Sequence, residues 1–357
     1  MQIQIADFNK ALDQAKQLKG RIQLLLGNGF SIACHSSFKY GTLFDQARKS
    51  GLPRHLRELL ERYGSNFEDV LKYLDEGIFL SEHYRLKKDK RTDRDMAQDH
   101  KKLKDTLIKT ISDNHPDFPR RITDNKFKSC IKFLRNFDAV FTVNYDLLLY
   151  WASLHINEKE GEEFPFSDGF GRDEDVDDPD CSFSYSRMGS KPFLFFLHGA
   201  LHLYTRDGRV WKRVWNTTGI PIIKRVREAF KNKGYPLVVT EGNSVDKFKK
   251  IESSSYLSQA YRKFKNLQGH LFIFGHSLSD QDKHILDAVI CSEKFKLSYV
   301  WIGIHGDPTL MHNQKIIEKA AFLRVKREER ISKRAKLKEE GELNICFFDS
   351  DSAHVWG

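Results

Sequence analysis

The chain of 357 residues is 40% hydrophobic and 30% charged, a balance that excludes a disordered or membrane-embedded protein. Lys and Arg number 59 against 49 Asp and Glu, a net charge of +10 that makes nucleic acid the first partner to consider. Five scattered cysteines, Cys34, Cys130, Cys181, Cys291 and Cys346, contain no CxxC pair, which argues against both a structural zinc module and a disulfide framework.

No apolar run reaches the roughly 18 to 20 residues that a membrane span needs. The first twenty residues lack the basic and apolar regions of a secretory signal, so a cytoplasmic location is expected. In chain order, short apolar runs that stop at Gly, Asn, Asp or Ser predict strands over 22–29, 139–146, 193–199, 236–242, 270–277, 299–306 and 345–349. Strands so uniformly apolar are buried on both faces. The predicted fold is therefore α/β, a Rossmann-like, mostly parallel sheet with helices on both faces, formed as a single domain over 1–357.

Between the first two strands, Phe67, Val70, Leu71 and Leu74 recur at helical spacing, which predicts a helical insertion over about 51–136. Residues 157–190 contain GFGRDEDVDDPDCSFS without periodicity and read as an acidic surface loop that either solvates one face or covers the cleft. The segment 324–340 is a charged helix or tail leading into the last strand.

Ligands of such sheets bind at the carboxyl ends of the strands, which directs attention to GNGF, VNYD, LHGA, TEGN and GHSL. Gly27, Asn28, Gly29, Phe30 and Ser31 form a glycine turn after a buried strand, a geometry suited to a phosphate or simply to a tight turn. The third glycine of GxGxxG is replaced by Ile32, which disfavours a hydride-transferring dehydrogenase, and no GxxxxGK[ST] occurs. Asn144 brings a polar amide to a strand end, where it needs partners. Asp146 reads equally well as the cap of the helix that follows, and His198 as a satisfied structural group. Glu241 in TEGNS reads either as an acceptor for a ribose hydroxyl or as a helix cap. His35, His202, His276, His284, His305 and His354 show no metal-binding spacing.

Taken in order, GNGFS, TVNYD, LHG and GHSLSD resemble the sirtuin-type NAD-binding domain over about residues 20–290. The likeness is strongest to zinc-less bacterial sirtuin-like proteins that hydrolyse NAD in antiphage defence, some of them assembled with a HerA-type ring ATPase. The VTEG run and the C-terminal SAHVWG belong to the same pattern. The resemblance implies an NAD⁺ hydrolase that cleaves the nicotinamide–ribose bond, depletes NAD and is held off by assembly or a partner. It implies catalytic roles for Asn144, His198 and Asp146. Gly27, Asn28, Gly29, Phe30 and Ser31 would line the pyrophosphate and ribose, with Gly275, His276 and Ser277 opposite and Asp280 capping the next helix. NAD is then a substrate, no metal is expected, and deacylation is disfavoured because the five scattered cysteines cannot supply the four-cysteine zinc module of the deacylases. A homo-oligomer is expected, and nucleic acid only as an indirect partner. The alternatives are a module that senses NAD without turnover and a nucleic-acid-binding or nuclease subunit, the latter weakened by basic runs that also contain many acids.

Overall fold

A computed structural model of the chain describes residues 4–84, 90–159, 166–173, 178–188, 192–214, 219–232, 234–292, 296–333 and 341–357. Eleven strands occur among them: β1 (Ile5–Ala6), β2 (Ile22–Leu26), β3 (Ala139–Thr142), β4 (Phe170–Gly171), β5 (Cys181–Phe183), β6 (Phe193–Phe196), β7 (Leu203–Arg206), β8 (Arg209–Lys212), β9 (Gly269–Phe274), β10 (Leu297–Ile304) and β11 (Asn344–Asp349). Seven of them form one sheet in the order β1-β11-β10-β9-β2-β3-β6, and every pairing in it is parallel. The fold is α/β and Rossmann-like.

The sequence explains the central strands directly. All of β2 and β3 is buried, as the uninterrupted IQLLL and AVFT runs require when helices cover both faces. From β2 the chain passes through helices to β3 and β6 on one side, then returns to β9, β10 and β11 on the other. The reversal lies between β2 and β9, where an open α/β sheet leaves a crevice for ligand.

Helices occupy the stretch between β2 and β3, including Arg54–Arg62, Phe67–Tyr84, Lys90–Asn114 and Asp124–Leu134. Phe67, Val70, Leu71 and Leu74 are the buried positions of the second of these, so the helical period read from sequence is its core face. Helical structure begins earlier than the expected start near residue 51, with Asn28–Cys34 and Tyr40–Lys49.

Two expectations are corrected. The run 236–242 adds no strand to the main sheet. Instead it lies beside the end of β6 through a single antiparallel bridge of Gly199 to Val238, with the Val239 amide donating to the His198 carbonyl at 2.8 Å. The described part of the acidic segment is not a bare loop, because it supplies β4 and β5 to a second, antiparallel sheet of order β4-β5-β8-β7. Its acids are matched to cations of the same chain: Asp168 to Lys212 at 2.5 Å, Asp173 to Arg187 at 2.6 Å and Asp180 to Arg225 at 2.7 Å. Phe170 and Phe183 dock this small sheet on Tyr256, with ring centroids 5.1 and 5.0 Å away. Residues 160–165, 174–177 and 189–191 of that segment lie outside the described residues, as do residues 334–340 of the charged run 324–340, whose described part up to Ser332 belongs to the helix Met311–Ser332.

That helix is tied down by Arg327, which is fully buried. Its guanidinium donates to the carbonyls of Ile290 at 2.6 Å, Gly341 at 2.7 Å and Leu297 at 3.0 Å, and burial lowers its pKa to about 10. Replacing it by Met leaves buried carbonyls without donors. Arg327→Met is expected to cost about 3 kcal/mol, read as a lower denaturant midpoint in equilibrium unfolding.

Candidate functional site

The strands β9, β2, β3 and β6 are consecutive neighbours, so the GHS, GNG, VNYD and LHG segments emerge side by side at one edge of the sheet. They surround a cavity of about 340 Å³, roofed by the helical insertion through Phe38, Leu43, Leu107 and Ile111.

Two glycine turns meet at the floor. The Gly29 amide donates to the Gly275 carbonyl at 2.8 Å and the Gly27 amide to Phe274 at 2.9 Å, while the Phe30 amide returns to Gly27 at 3.0 Å. A Cβ on Gly29 would lie 2.5 Å from the Gly275 Cα, and Gly275 itself has φ +67°, a region that favours glycine. The glycines therefore allow one backbone to lie against another. Their amides point to protein carbonyls, which leaves those three donors occupied before any phosphate arrives.

Asn144 locks onto this turn. Its Nδ2 donates to the Gly27 carbonyl at 2.9 Å and to Ser31 Oγ at 2.9 Å. An inverted amide would set Oδ1 against a carbonyl oxygen, so hydrogen bonding fixes the orientation. With both amide hydrogens engaged, Oδ1 is left as the acceptor on the cavity side, and Asn144 is among the lining residues.

Ser31 in turn donates to Asp146 Oδ2 at 2.5 Å, and Asp146 Oδ1 accepts from the Leu148 amide at 2.9 Å. Burial raises the Asp146 pKa, and those two hydrogen bonds oppose the rise. Asp146 thus holds Ser31 and the start of the helix Leu148–Lys159 while contributing to the cavity wall. Phe30 points the other way. Its ring packs on Trp356 at 5.0 Å, and the indole donates to the Phe30 carbonyl at 2.9 Å, so the C-terminal SAHVWG braces the glycine turn from beneath.

His198 reaches the opposite wall, where a buried polar network gathers. His198 Nε2 is 2.9 Å from His284 Nε2, and His284 Nδ1 is 3.0 Å from Ser244 Oγ. Asp282 accepts from Lys247 at 2.9 Å and faces His276 Nε2 at 3.1 Å, while Lys247 also donates to Glu68 at 2.9 Å. Burial drives the His198 pKa well below the ordinary imidazole value and that of His284 to about 4, so both rings are neutral near pH 7. Burial opposes ionisation of Asp282, but Lys247 and the His276 bond outweigh it and hold the carboxyl well below its usual range. Lys247 is likewise pushed up, with Glu68 and Asp282 overcoming the effect of its burial.

Among the residues expected from sequence, Asn28, Gly29, Asn144, Asp146, His198, Gly275, His276 and Ser277 line the cavity. Gly27, Phe30 and Ser31 support it from behind. Asp280 does not cap the next helix: Ser279 caps the short turn Asp280–Asp282, and Asp280 pairs with Lys319. Glu241 does not cap the helix that follows it and is not among the residues lining the cavity. It takes Lys104 of the insertion at 2.5 Å, and Asn243 caps the helix Ser244–Glu252. Two histidines with no metal-binding spacing, His276 and His284, converge with His198 around Asp282.

No sequence motif marks Tyr40, Glu68 and Asp282, which line the cavity, or Lys247, which pairs with the two acids. Glu68 looks like any exposed acid in an amphipathic helix, and Lys247 like a helix surface cation. The second acid in SLSDQDKH was the only signal for Asp282.

The family model described as Domain of unknown function (DUF4917) matches residues 24–356. The chain belongs to this family. The DUF4917 match spans all four strand ends of the cavity, the insertion that roofs it and Trp356 beneath it. No curated protein matches the chain.

The geometry makes two stability predictions. Asn144→Asp turns a donor into an acceptor against the Gly27 carbonyl and is expected to cost about 2 kcal/mol in denaturant unfolding, with a wild-type midpoint overturning the assigned orientation. Gly29→Val forces the two turns apart and is expected to lower the melting temperature by several degrees.

Proposed function

We propose that the chain is an NAD⁺ hydrolase that cleaves the bond between nicotinamide and ribose. The observation that carries this reading is the Asn144 side chain, whose amide hydrogens are both engaged so that its carbonyl oxygen remains as an acceptor, in a cavity that His198 also lines. In the reaction the C1′–N1 bond breaks, its electron pair leaves with neutral nicotinamide, and a water oxygen bonds to C1′ through an oxocarbenium-like transition state. The water proton is released as ADP-ribose forms.

Asn144 Oδ1 accepts from that water and orients it. His198, kept neutral, serves as a hydrogen-bond partner for a ribose hydroxyl and suits that role better than storage of a proton. The insertion helices that line the cavity would, with substrate bound, restrict entry of bulk water, which matters because the oxocarbenium centre reacts with any nucleophile admitted.

Depletion of NAD as a bacterial antiphage defence, with activity held off until an assembly or a HerA-type ATPase partner releases it, extends the same proposal and is supported by the resemblance of the four strand-end motifs. The +10 net charge supports only an indirect nucleic-acid role, because no Lys or Arg is among the described residues lining the cavity.

Incubation of the purified chain with NAD, alone and with its genomic neighbours, should release nicotinamide and ADP-ribose as followed by chromatography. Asn144→Ala and His198→Ala are each expected to lower the rate by a hundredfold or more with folding retained by circular dichroism. Turnover near wild type in either folded variant would overturn the site assignment.

A further inference from the structure

The charge of the cavity points to the part of the substrate that it grips. Glu68 and Asp282 both line it, and they share a single ammonium, that of Lys247. Among these three groups, two carboxylates and one ammonium, one negative charge is left over. Asp69 adds to the same sign nearby, with its carboxylate held by Gln281 at 2.6 Å and Asn66 at 2.7 Å. Among the described lining residues there is no Lys or Arg to compensate.

Three aromatic side chains, Phe38, Tyr40 and Tyr145, share the lining. Tyr145 is oriented by its hydroxyl, which donates to the Val239 carbonyl at 2.7 Å. Aromatic faces beside carboxylates that are only partly compensated favour a cation that is itself flat and apolar, through both ring quadrupole and Coulomb attraction. The same lining opposes phosphate. Three amides of the glycine turn, those of Gly27, Gly29 and Phe30, are already spent on Phe274, Gly275 and Gly27.

We propose that the cavity is a receptor for a cationic aromatic N-glycoside, a pyridinium nucleoside, which Glu68 and Asp282 select by charge without needing the pyrophosphate. The identity of the ring as nicotinamide rests on the NAD⁺ hydrolase reading. The charge selection rests on the lining alone. In that arrangement the negative wall attracts the pyridinium of the bound substrate, and the positive charge passes to the sugar as the glycosidic bond breaks. The adenylate half remains outside.

The two redox forms of nicotinamide riboside provide the test, because they are nearly the same shape and differ by one positive charge. Titration calorimetry on the full chain is expected to show the oxidised form binding at least about tenfold tighter than the neutral dihydro form. A unit charge at about 6 Å under an effective dielectric near 20 is ample for that ratio. Glu68→Gln retains an acceptor for Lys247 and should reduce the preference severalfold.

Equal affinities for the two forms in the wild type would overturn the proposal whatever the variant does, as would binding only of the whole dinucleotide. A preserved ratio in folded Glu68→Gln would remove Glu68 from it. Nicotinamide release from NAD is followed separately: charge-selective binding without cleavage defeats the hydrolase reading and leaves the receptor standing, whereas cleavage without charge selectivity does the reverse.

Discussion

The contact between the two glycine turns governs the rest of the site. With no Cβ on either side, the turn after β2 lies against the turn after β9, and two amide–carbonyl bonds, from Gly27 to Phe274 and from Gly29 to Gly275, close the seam at the point where the sheet reverses its winding. Any side chain at Gly29 would push into the Gly275 backbone. Because the seam holds the Gly27 carbonyl in place, Asn144 has a rigid acceptor for one amide hydrogen, and Ser31, anchored by Asp146, accepts the other. The position of the one free amide oxygen is thus inherited through a chain of hydrogen bonds from backbone packing.

The opposite wall follows a different logic. There, charges are buried because they are paired: Lys247 with Glu68 and Asp282, and Asp282 also with His276. A fully buried ammonium without these partners would be severely unfavourable, so the helix Ser244–Glu252 and the insertion helix Phe67–Tyr84 are held in register by electrostatics. The network joins parts of the chain far apart in sequence, with Glu68 and Lys247 separated by 179 positions. The insertion consequently acts as a wall of the site as well as its roof.

A Lys already seated on Asp282 also bears on how the His198, Asp282 and His284 cluster is understood. Their ligating atoms lie within 4.8 Å of one another, a geometry compatible with a metal ion. The Asp282 carboxylate is occupied by the Lys247 ammonium, and two neutral imidazoles 2.9 Å apart can share one hydrogen. Protein groups alone therefore satisfy the cluster, and a divalent ion would have to overcome the repulsion of Lys247.

What was legible in the sequence was local. Uninterrupted apolar runs set out six of the seven strands expected for the sheet, and the residues that follow β2, β3, β6 and β9 marked one edge of it, because a buried parallel strand must be apolar throughout and its ligand lies at its carboxyl end. The run 236–242 misled because it is equally apolar yet has its backbone paired with the end of β6. The second sheet escaped because its strands are two to four residues long and its acids find their cations only after folding. Tertiary structure alone decided that the Gly27 and Gly29 amides face carbonyls, that Asn144 keeps its oxygen on the cavity side, and that Glu68 and Asp282 converge on Lys247. Each depends on the pairing of polar groups contributed by segments distant in sequence, and such pairing leaves no periodicity along the chain.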